Sequence, residues 1–199
     1  MYPLTKRAVD IAAAAIGLIL LTPLFLGISI AIRLNSPGPV FYVAKRVGRL
    51  GQPFRMYKFR TMVPNAEAIG GSSTADDDPR VTRLGQWLRR RKIDELPQLF
   101  NVFGGSMSLV GPRPQVQWAV DRYSPKERRV LSVRPGITDP ASLRFPDEGA
   151  ILVGSTDPDR DYFEKIHPEK MRLSLAYIDH RSFRTDIGII LQTLARIVR

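Results

Sequence analysis

The residues of this sequence best suited to chemistry are two adjacent carboxylates, Asp94 and Glu95, which closely follow the cationic run "RRRK" at residues 89–92. An ionised aspartate can attack phosphorus and form an acyl phosphate. A neighbouring carboxylate supplies the hard oxygen ligand that Mg²⁺ prefers, and Mg²⁺ also bridges diphosphate oxygens. The pair therefore indicates phosphoryl transfer, with one carboxylate attacking while the other holds the metal.

The same pair also predicts the start of a helix, with Asp94 as the N-cap and Glu95 and Pro97 in the first turn. A helix N-terminus presents unpaired N–H groups and partial positive charge, which favours ionised carboxylates and can hold a phosphate nearby. The cations at residues 89–92 strengthen this field. We therefore expect Asp94 to be ionised and reactive.

A third candidate is Arg113, which stands between Pro112 and Pro114 in "GGSMSLVGPRP". Prolines on both sides restrict the backbone, so they aim the guanidinium with little conformational freedom. Its planar fork suits phosphate oxygens better than a lysine would. Taken alone, the pattern is more typical of a surface arginine in a proline-rich turn.

Composition limits the remaining function classes. The chain of 199 residues has a formal net charge of +11, so an anionic partner is expected: a phosphorylated substrate, an acidic membrane surface or nucleic acid. It has no cysteine, which excludes disulfides, thiolate catalysis and cysteine zinc sites. Two histidines are a poor basis for a metal cluster.

Residues 11–32 carry no formal charge, and as a helix they would be roughly 33 Å long, enough for a bilayer core. Thr22 and Pro23 lie in the middle of this run and predict a break or kink. Basic residues flank both ends, so the positive-inside tendency draws both toward the cytoplasm. A re-entrant helix satisfies both flanks; a kinked spanning helix, a signal peptide and a buried helix are the alternatives.

Residues 40–62 predict two strands around a glycine-containing turn. Alternation places Met56, Lys58 and Arg60 on one face of the second strand and Tyr57 and Phe59 on the other. The hairpin therefore has a basic face, on which Lys58 and Arg60 either meet an anion or are solvated on an edge strand.

Two further segments, residues 82–91 and 185–199, predict amphipathic helices that suit either a headgroup interface or the domain core. Their apolar positions are Leu84, Trp87 and Leu88 in the first segment, and Ile187, Ile190, Leu191 and Leu194 in the second. Between hairpin and first helix lies a polar loop whose Asp76–Asp78 run either binds a cation or is solvated, with Asp78 as a cap. The predicted fold is a mainly helical α+β domain, residues 37–199, with a small hairpin, attached to a membrane segment, residues 1–36.

Read in order behind the proline-broken apolar helix, "YKFRTM", "IDELPQLFNVFGGSMSLVGPRP" and "VRPGIT" resemble the bacterial sugar transferases called monotopic phosphoglycosyl transferases. The resemblance covers nearly the whole chain. It implies transfer of a phosphosugar from a nucleotide sugar, usually a UDP-sugar, to a polyprenyl (undecaprenyl) phosphate, with release of the nucleoside monophosphate. It also favours the re-entrant form of residues 11–32 over the spanning one.

By the same resemblance, Asp94 is the nucleophile, Glu95 the Mg²⁺ ligand and Arg113 a phosphate contact, with Lys58, Arg89 and Arg134 as further candidates for the substrate site. It implies a protein on the cytoplasmic face of the bacterial inner membrane, in contact with lipid and without nucleic acid, and it leaves a homo-oligomer open. Where many members continue "RPGIT" with Gly-Trp-Ala-Gln, this chain has "DPASLRFPDE". We expect residues 139–161 to determine the donor sugar. The alternative function is a noncatalytic basic module that binds anionic lipid or nucleic acid by charge alone.

Overall fold

The computed structural model describes residues 2–66 and 78–198, and it begins with two helices joined at a sharp bend. Helix α1 spans Tyr2–Leu20 and α2 spans Thr22–Asn35, and their axes differ by 60°. Pro23 lies in the first turn of α2, where its missing N–H removes no intrahelical hydrogen bond. The predicted break at Thr22 and Pro23 is therefore confirmed.

Within the described ranges, neither helix alone is long and apolar enough to cross a bilayer. The two helices of the bent pair meet these criteria only when they are counted together. This result rests on length and composition only. Much of the surface of the pair is apolar and exposed, including Ile16, Ile19, Leu20, Leu26 and Ile30.

The first half of α1 is held against the rest of the chain by polar groups. The carboxylate of Asp10 accepts hydrogen bonds from the Ser108 hydroxyl at 2.7 Å and from the Leu109 amide at 3.2 Å. Lys6 contacts Asp186 at 2.7 Å. Because such pairs lie far apart in the chain, they fix where α1 sits on the domain.

The predicted hairpin is confirmed. Strands β1, Phe41–Val47, and β2, Pro53–Phe59, pair antiparallel, with Phe41 opposite Phe59 and Val47 opposite Pro53. The basic face of β2 is not a solvated edge, because both of its cations have partners. Lys58 contacts Glu95. The buried Arg60 donates to the carbonyls of Ser36 and Pro37 at 2.7 and 2.6 Å, and these bonds hold the segment that follows α2.

The acidic pair lies between two short helices, α3 at Arg83–Arg90 and α4 at Gln98–Gly104. Strand β3, Ser108–Val110, follows and pairs in parallel with β4, Gly136–Thr138. A side chain at Gly136 would collide with the backbone of Gly111, so glycine is required where these strands approach. This close pairing sets Arg113 beside the residues of "RPGIT".

The remaining helices close the domain around this centre. They are α5 at Gln117–Asp121, α6 at Pro140–Arg144, α7 at Glu148–Ile151, α8 at Pro158–Asp161, α9 at His167–His180 and α10 at Phe183–Val198. A π-helical turn, Tyr162–Ile166, joins α8 to α9. Helices with two small two-stranded sheets in the described part confirm the predicted α+β class.

The two amphipathic segments are helical, as predicted, but their apolar residues do not all face the same surroundings. In α3, Leu88 is buried and Leu84 packs in the core, whereas Trp87 is exposed. In α10, Ile187, Leu191 and Leu194 are exposed, whereas Ile190 packs against the core. Each helix therefore combines a packed side with an exposed apolar side.

The loop before α3 is described only in part, since Asp76 and Asp77 lie outside the described residues. Asp78 accepts hydrogen bonds from both the amide and the guanidinium of Arg80, at 2.9 Å each. The expectation that Asp78 caps a helix is wrong, because Thr82 accepts from the Gly85 amide at 2.9 Å and caps α3.

Candidate active site

Asp94 and Glu95 lie in a 3₁₀ turn, Ile93–Glu95, and not at the start of α4. Lys92, which precedes this turn, has a left-handed backbone with φ of 55°. Helix α4 begins only at Gln98, after Pro97, and no side chain of residues 2–66 or 78–198 caps it. The prediction that Asp94 is the N-cap is therefore wrong, because Asp94 lies inside the 3₁₀ turn and Pro97 occupies the N-cap position of the helix.

Glu95 is held by two cations. Its Oε1 accepts from Lys58 Nζ at 3.0 Å and from Arg113 Nη2. Burial alone would raise the pKa of Glu95, but the positive charges of Arg113 and Lys58 outweigh it and hold the pKa well below its usual range. Glu95 is therefore ionised at neutral pH.

Asp94 has the opposite electrostatic environment, although it is the next residue. The residue is 6% exposed, and its Oδ1 has no hydrogen-bond partner in the described structure. Burial raises the pKa of Asp94 despite the attraction of Lys58, and the charge of Glu95 adds to the increase. Loss of solvation thus outweighs the nearby cations and moves the pKa of Asp94 upward, opposite to the shift that the positive field alone would cause. That Asp94 is ionised when it reacts stays a prediction.

Arg113 is fixed from both its backbone and its side chain. Its amide donates to Asp139 Oδ2 at 3.3 Å, and its Nη1 donates to the Ile137 carbonyl at 3.3 Å. Burial alone would lower the pKa of Arg113, but the charge of Glu95 raises it. The guanidinium is thus a permanent, aimed cation beside the acidic pair, and the surface-arginine interpretation does not apply.

These groups line one open cavity of about 2470 Å³. Asp94, Glu95, Lys58, Arg113 and Arg89 all contribute to its surface. Arg89 is oriented by a 2.9 Å hydrogen bond from its Nε to the Thr61 hydroxyl. Part of the wall is apolar, formed by Phe41, Val43, Leu96, Leu99, Ile190 and Leu194. Five of the six predicted polar site residues are thus brought together.

Arg134, the sixth, is not among the residues lining this cavity. It borders a separate cavity of about 150 Å³ together with Arg7, Asp10 and Arg49. Its Nε donates to the Gly105 carbonyl at 2.9 Å. Burial lowers the pKa of Arg134, and the nearby cations Arg7 and Arg49 lower it further.

Several polar residues near the site were not singled out from the sequence. Glu148 lines the large cavity and contacts Lys170, 2% exposed, at 2.5 Å. Asp139, which is fully buried, links the Arg113 amide to the first turn of α6 by accepting from the Ser142 amide at 2.7 Å. The available signal was positional, since Asp139 and Glu148 lie within the stretch expected to determine the donor.

Gln98 was also missed. It is fully buried one helical turn after Asp94, and neither polar atom of its amide has a hydrogen-bond partner in the described structure. Buried amide groups without hydrogen-bond partners are costly and uncommon in native structures. No sequence pattern marks it, because glutamine at a helix start is ordinary.

The carboxylate oxygens of this turn are donors of the kind that would suit a magnesium ion. Mg²⁺ is commonly held by one or two carboxylates together with water and substrate phosphates. Glu95 is ionised, and Asp94 Oδ1 has no hydrogen-bond partner in the part of the chain that the structure describes. No group of three or more carboxylate, histidine or cysteine side chains is arranged for a metal among the described residues, so phosphate oxygens would have to complete the coordination.

Comparison with known proteins gives related sequences for the whole chain. A family model described as bacterial sugar transferase matches residues 1–199. The UDP-N-acetylgalactosamine-undecaprenyl-phosphate N-acetylgalactosaminephosphotransferase of Aeromonas hydrophila is 46% identical over 69% of this chain. The putative undecaprenyl-phosphate N-acetylgalactosaminyl 1-phosphate transferase of Bacillus subtilis is 50% identical over 57% of it. The UDP-glucose:undecaprenyl-phosphate glucose-1-phosphate transferase of Caulobacter vibrioides is 38% identical over 96% of it.

The matched regions cover 33%, 64% and 68% of these three relatives, respectively, so some are much longer than this chain. Their names include different sugars, N-acetylgalactosamine and glucose. The match over all 199 residues agrees with the resemblance carried by the acidic pair and the two arginine-proline motifs. The chain belongs to the bacterial sugar transferase family.

Proposed function

We propose that this protein transfers a sugar 1-phosphate from a UDP-sugar to undecaprenyl phosphate, the first membrane step of a glycan assembly. The observation that carries the proposal is the buried Asp94, whose Oδ1 has no partner among the described residues, next to the Glu95–Lys58–Arg113 cluster in an open cavity. The names of the relatives support this class of donor and acceptor. The cavity exceeds the roughly 300–1,000 Å³ typical of sites for one small ligand, which suits two large substrates.

In the first half-reaction, ionised Asp94 attacks the sugar-bearing phosphorus of the donor. A bond forms between the carboxylate oxygen and phosphorus, and the bond from phosphorus to the bridging oxygen breaks. That oxygen leaves with UMP and carries the electron pair. The phosphosugar stays on the enzyme as an acyl phosphate, which divides one transfer into two displacements.

Arg113 and Lys58 bind and orient the donor in this step. Both cations contact Glu95, so they are already positioned at the turn that carries the nucleophile. Diphosphate oxygens that enter the cavity meet the guanidinium fork of Arg113, whose geometry suits bidentate phosphate binding. Arg89 adds a cation that also lines the cavity, oriented by Thr61.

In the second half-reaction, an oxygen of undecaprenyl phosphate attacks the same phosphorus. The bond to Asp94 breaks, the aspartate leaves as a carboxylate, and the product is a polyprenyl diphosphosugar. The apolar wall of the cavity suits the first isoprene units of this acceptor. Glu95 would hold Mg²⁺, which supplies charge neutralisation of the diphosphate when bound.

We further propose that residues 1–36 form a re-entrant membrane segment and residues 37–199 a domain on the cytoplasmic face of the inner membrane. The 60° bend, the exposed apolar surface of α1 and α2, and basic residues on both flanks support it. The exposed apolar side of α10 suits the same interface.

The activity is tested with the full chain in lipid nanodiscs, given each member of a UDP-sugar panel with Mg²⁺ and undecaprenyl phosphate. Sustained UMP release with at least one donor, dependent on the lipid acceptor, is expected. A noncatalytic basic module would instead bind anionic vesicles and release no UMP. The identity of the productive donor also names the sugar.

Because the chain has no cysteine, topology is tested with single substitutions. Leu4→Cys and Lys126→Cys, at exposed positions in α1 and the domain, should react equally with an impermeant thiol reagent from the cytoplasmic side. Leu26→Cys, on the exposed apolar side of α2, should be shielded by lipid. Reaction of Leu4→Cys and Lys126→Cys from opposite sides would establish a spanning helix.

A further inference from the structure

The carboxyl end of α4 is held by two arginines from distant parts of the chain. Arg7, on α1, donates from Nη1 to the Val102 carbonyl at 2.6 Å and from Nη2 to the Phe103 carbonyl at 3.0 Å. Arg134 donates from Nε to the Gly105 carbonyl at 2.9 Å. The last carbonyls of a helix have no intrahelical partner and carry partial negative charge. Guanidinium groups placed there donate hydrogen bonds to these carbonyls and offset the charge.

The same helix is anchored along its side. The Asn101 side chain, almost fully buried, accepts from the Tyr57 amide at 2.9 Å and donates to the Arg55 carbonyl at 2.6 Å. Leu99 packs so closely on α1 that a Cβ at Gly17 would lie 3.2 Å from it. Helix α4 is therefore fixed to β2, to α1 and to the segment before β4.

The turn that carries Asp94 and Glu95 runs directly into this helix. Only Leu96 and Pro97 separate Glu95 from Gln98. Because α4 is short, a tilt at its carboxyl end displaces its amino end by a similar distance. Small displacements of a reacting group reduce rates strongly even when binding is retained.

Two cations share this helix end although they repel each other. Burial and the charges of Arg7 and Arg49 lower the pKa of Arg134. Asp10, the one acidic residue among the described residues that line this cavity, already accepts from Ser108 and Leu109. Gly105, with φ of 89°, ends the helix, and a Cβ there would lie 3.1 Å from Arg7 Nη2. The backbone conformation and the missing side chain both permit the arginine to approach.

We propose that Arg7 and Arg134 are positioning residues for the transfer reaction, which together fix the carboxyl end of α4 and so hold the Asp94–Glu95 turn in place. Since Arg7 lies on α1, the geometry of the catalytic turn depends on how the first helix is seated. This role rests on the proposed function for its kinetic consequence. It also gives Arg134 a role outside the substrate cavity.

The kinetic test is a double-mutant cycle with Arg7→Ala, Arg134→Ala and the pair. Each single change should lower kcat about tenfold and leave the KM for the donor within about twofold, since binding groups are untouched. Because both residues hold one helix end, the pair should lose about ten- to thirtyfold, less than the product of the single losses. A multiplicative loss of about a hundredfold, or a loss expressed in KM, would overturn the proposal.

Two variants control for charge and for folding. Arg7→Lys keeps the cation next to the membrane segment but cannot span two carbonyls, so it should lose about threefold in kcat and melt like the wild type. Arg172→Ala removes an exposed arginine that pairs only with Glu169 in the described structure, and it should change nothing. Full activity of Arg7→Lys together with equal losses in Arg7→Ala and Arg172→Ala would mean that only net charge matters.

A second readout does not depend on activity. In Arg7→Ala, amide hydrogen exchange should accelerate about tenfold for peptides covering residues 98–107 and stay unchanged in β1 and β2. Unchanged exchange in residues 98–107 would overturn the proposal, as would equal acceleration throughout. If the wild type releases no UMP from any donor, the proposed function fails, and the exchange result still decides whether the arginines hold the helix.

Discussion

At the amino end of α4, Lys58 and Arg113 contact the carboxylate of Glu95, whereas at the carboxyl end Arg7 and Arg134 contact backbone carbonyls. In the first case cation meets anion, and the pKa of Glu95 falls well below its usual range. In the second case the partners are neutral dipoles that do not titrate. One pair of cations thus keeps Glu95 ionised at the amino end, whereas the other pair holds the backbone of the helix at its carboxyl end.

The same difference separates the two arginine-proline motifs, because their arginines lie at different cavities. Arg113 and Arg134 each precede a proline, and both belong to motifs of the family resemblance. Arg113 lines the large cavity, whereas Arg134 borders the small one. If the account is correct, changes at the amino end alter donor binding, chemistry and pH dependence, whereas changes at the carboxyl end alter kcat alone.

The largest effect is expected from Asp94→Asn at the amino end. An amide is a poor nucleophile, so transfer should fall by at least about a thousandfold. Asn removes a carboxylate whose charged form is disfavoured by burial, so the melting temperature should not fall. Initial rates and melting curves measure both, and activity within tenfold of the wild type would exclude Asp94 as the nucleophile.

An intermediate effect is expected from Arg113→Lys, which replaces a planar fork by a point charge. Loss of one charge-assisted hydrogen bond, roughly 1.5–3 kcal/mol, corresponds to a fall in kcat/KM of about ten- to a hundredfold. The matched change Arg134→Lys should cost only about threefold, because an ammonium can still donate to the Gly105 carbonyl. Equal losses in the two variants would remove the distinction between the two ends.

The smallest effect is a shift in pH dependence for Lys58→Met. Asp94 must be ionised to react, and its raised pKa makes kcat/KM fall at a higher pH than for an exposed aspartate. Lys58 lowers that pKa, so its removal should move the acidic limb of the pH profile to still higher pH. Arg172→Met serves as the control that leaves the limb in place. A limb that stays put, or that moves to lower pH, would contradict the electrostatic account of Asp94.

Much of the fold was predictable because it follows from short-range patterns. Alternation gave the hairpin, the proline at position 23 gave the helix break, and amphipathic spacing gave α3 and α10. Local patterns gave the wrong helix start at Asp94, since the left-handed Lys92 and the 3₁₀ turn have no strong sequence signal. They also could not divide each amphipathic helix into its packed and exposed sides.

The residues that meet at the candidate site were predictable from the sequence, whereas their electrostatics were not. Asp94, Glu95, Arg113, Lys58 and Arg89 were all identified, and they line one cavity. The opposite pKa directions of Asp94 and Glu95 depend on which carboxylate faces Lys58 and Arg113, and that is decided by packing between β2 and the turn. The contact between Arg7 and α4 joins residues nearly a hundred positions apart, so no local pattern could predict it.

The most direct test of the central claim is the mass of the enzyme after incubation with Mg²⁺ and the productive UDP-sugar in the absence of undecaprenyl phosphate. The account predicts one added phosphosugar, located by peptide mapping to Asp94, with a burst of UMP of about one per enzyme. Adding undecaprenyl phosphate should discharge the adduct, and Asp94→Asn should form none. An enzyme that turns over but carries no adduct, with intersecting initial-rate plots, would mean direct transfer in a ternary complex and would contradict the account.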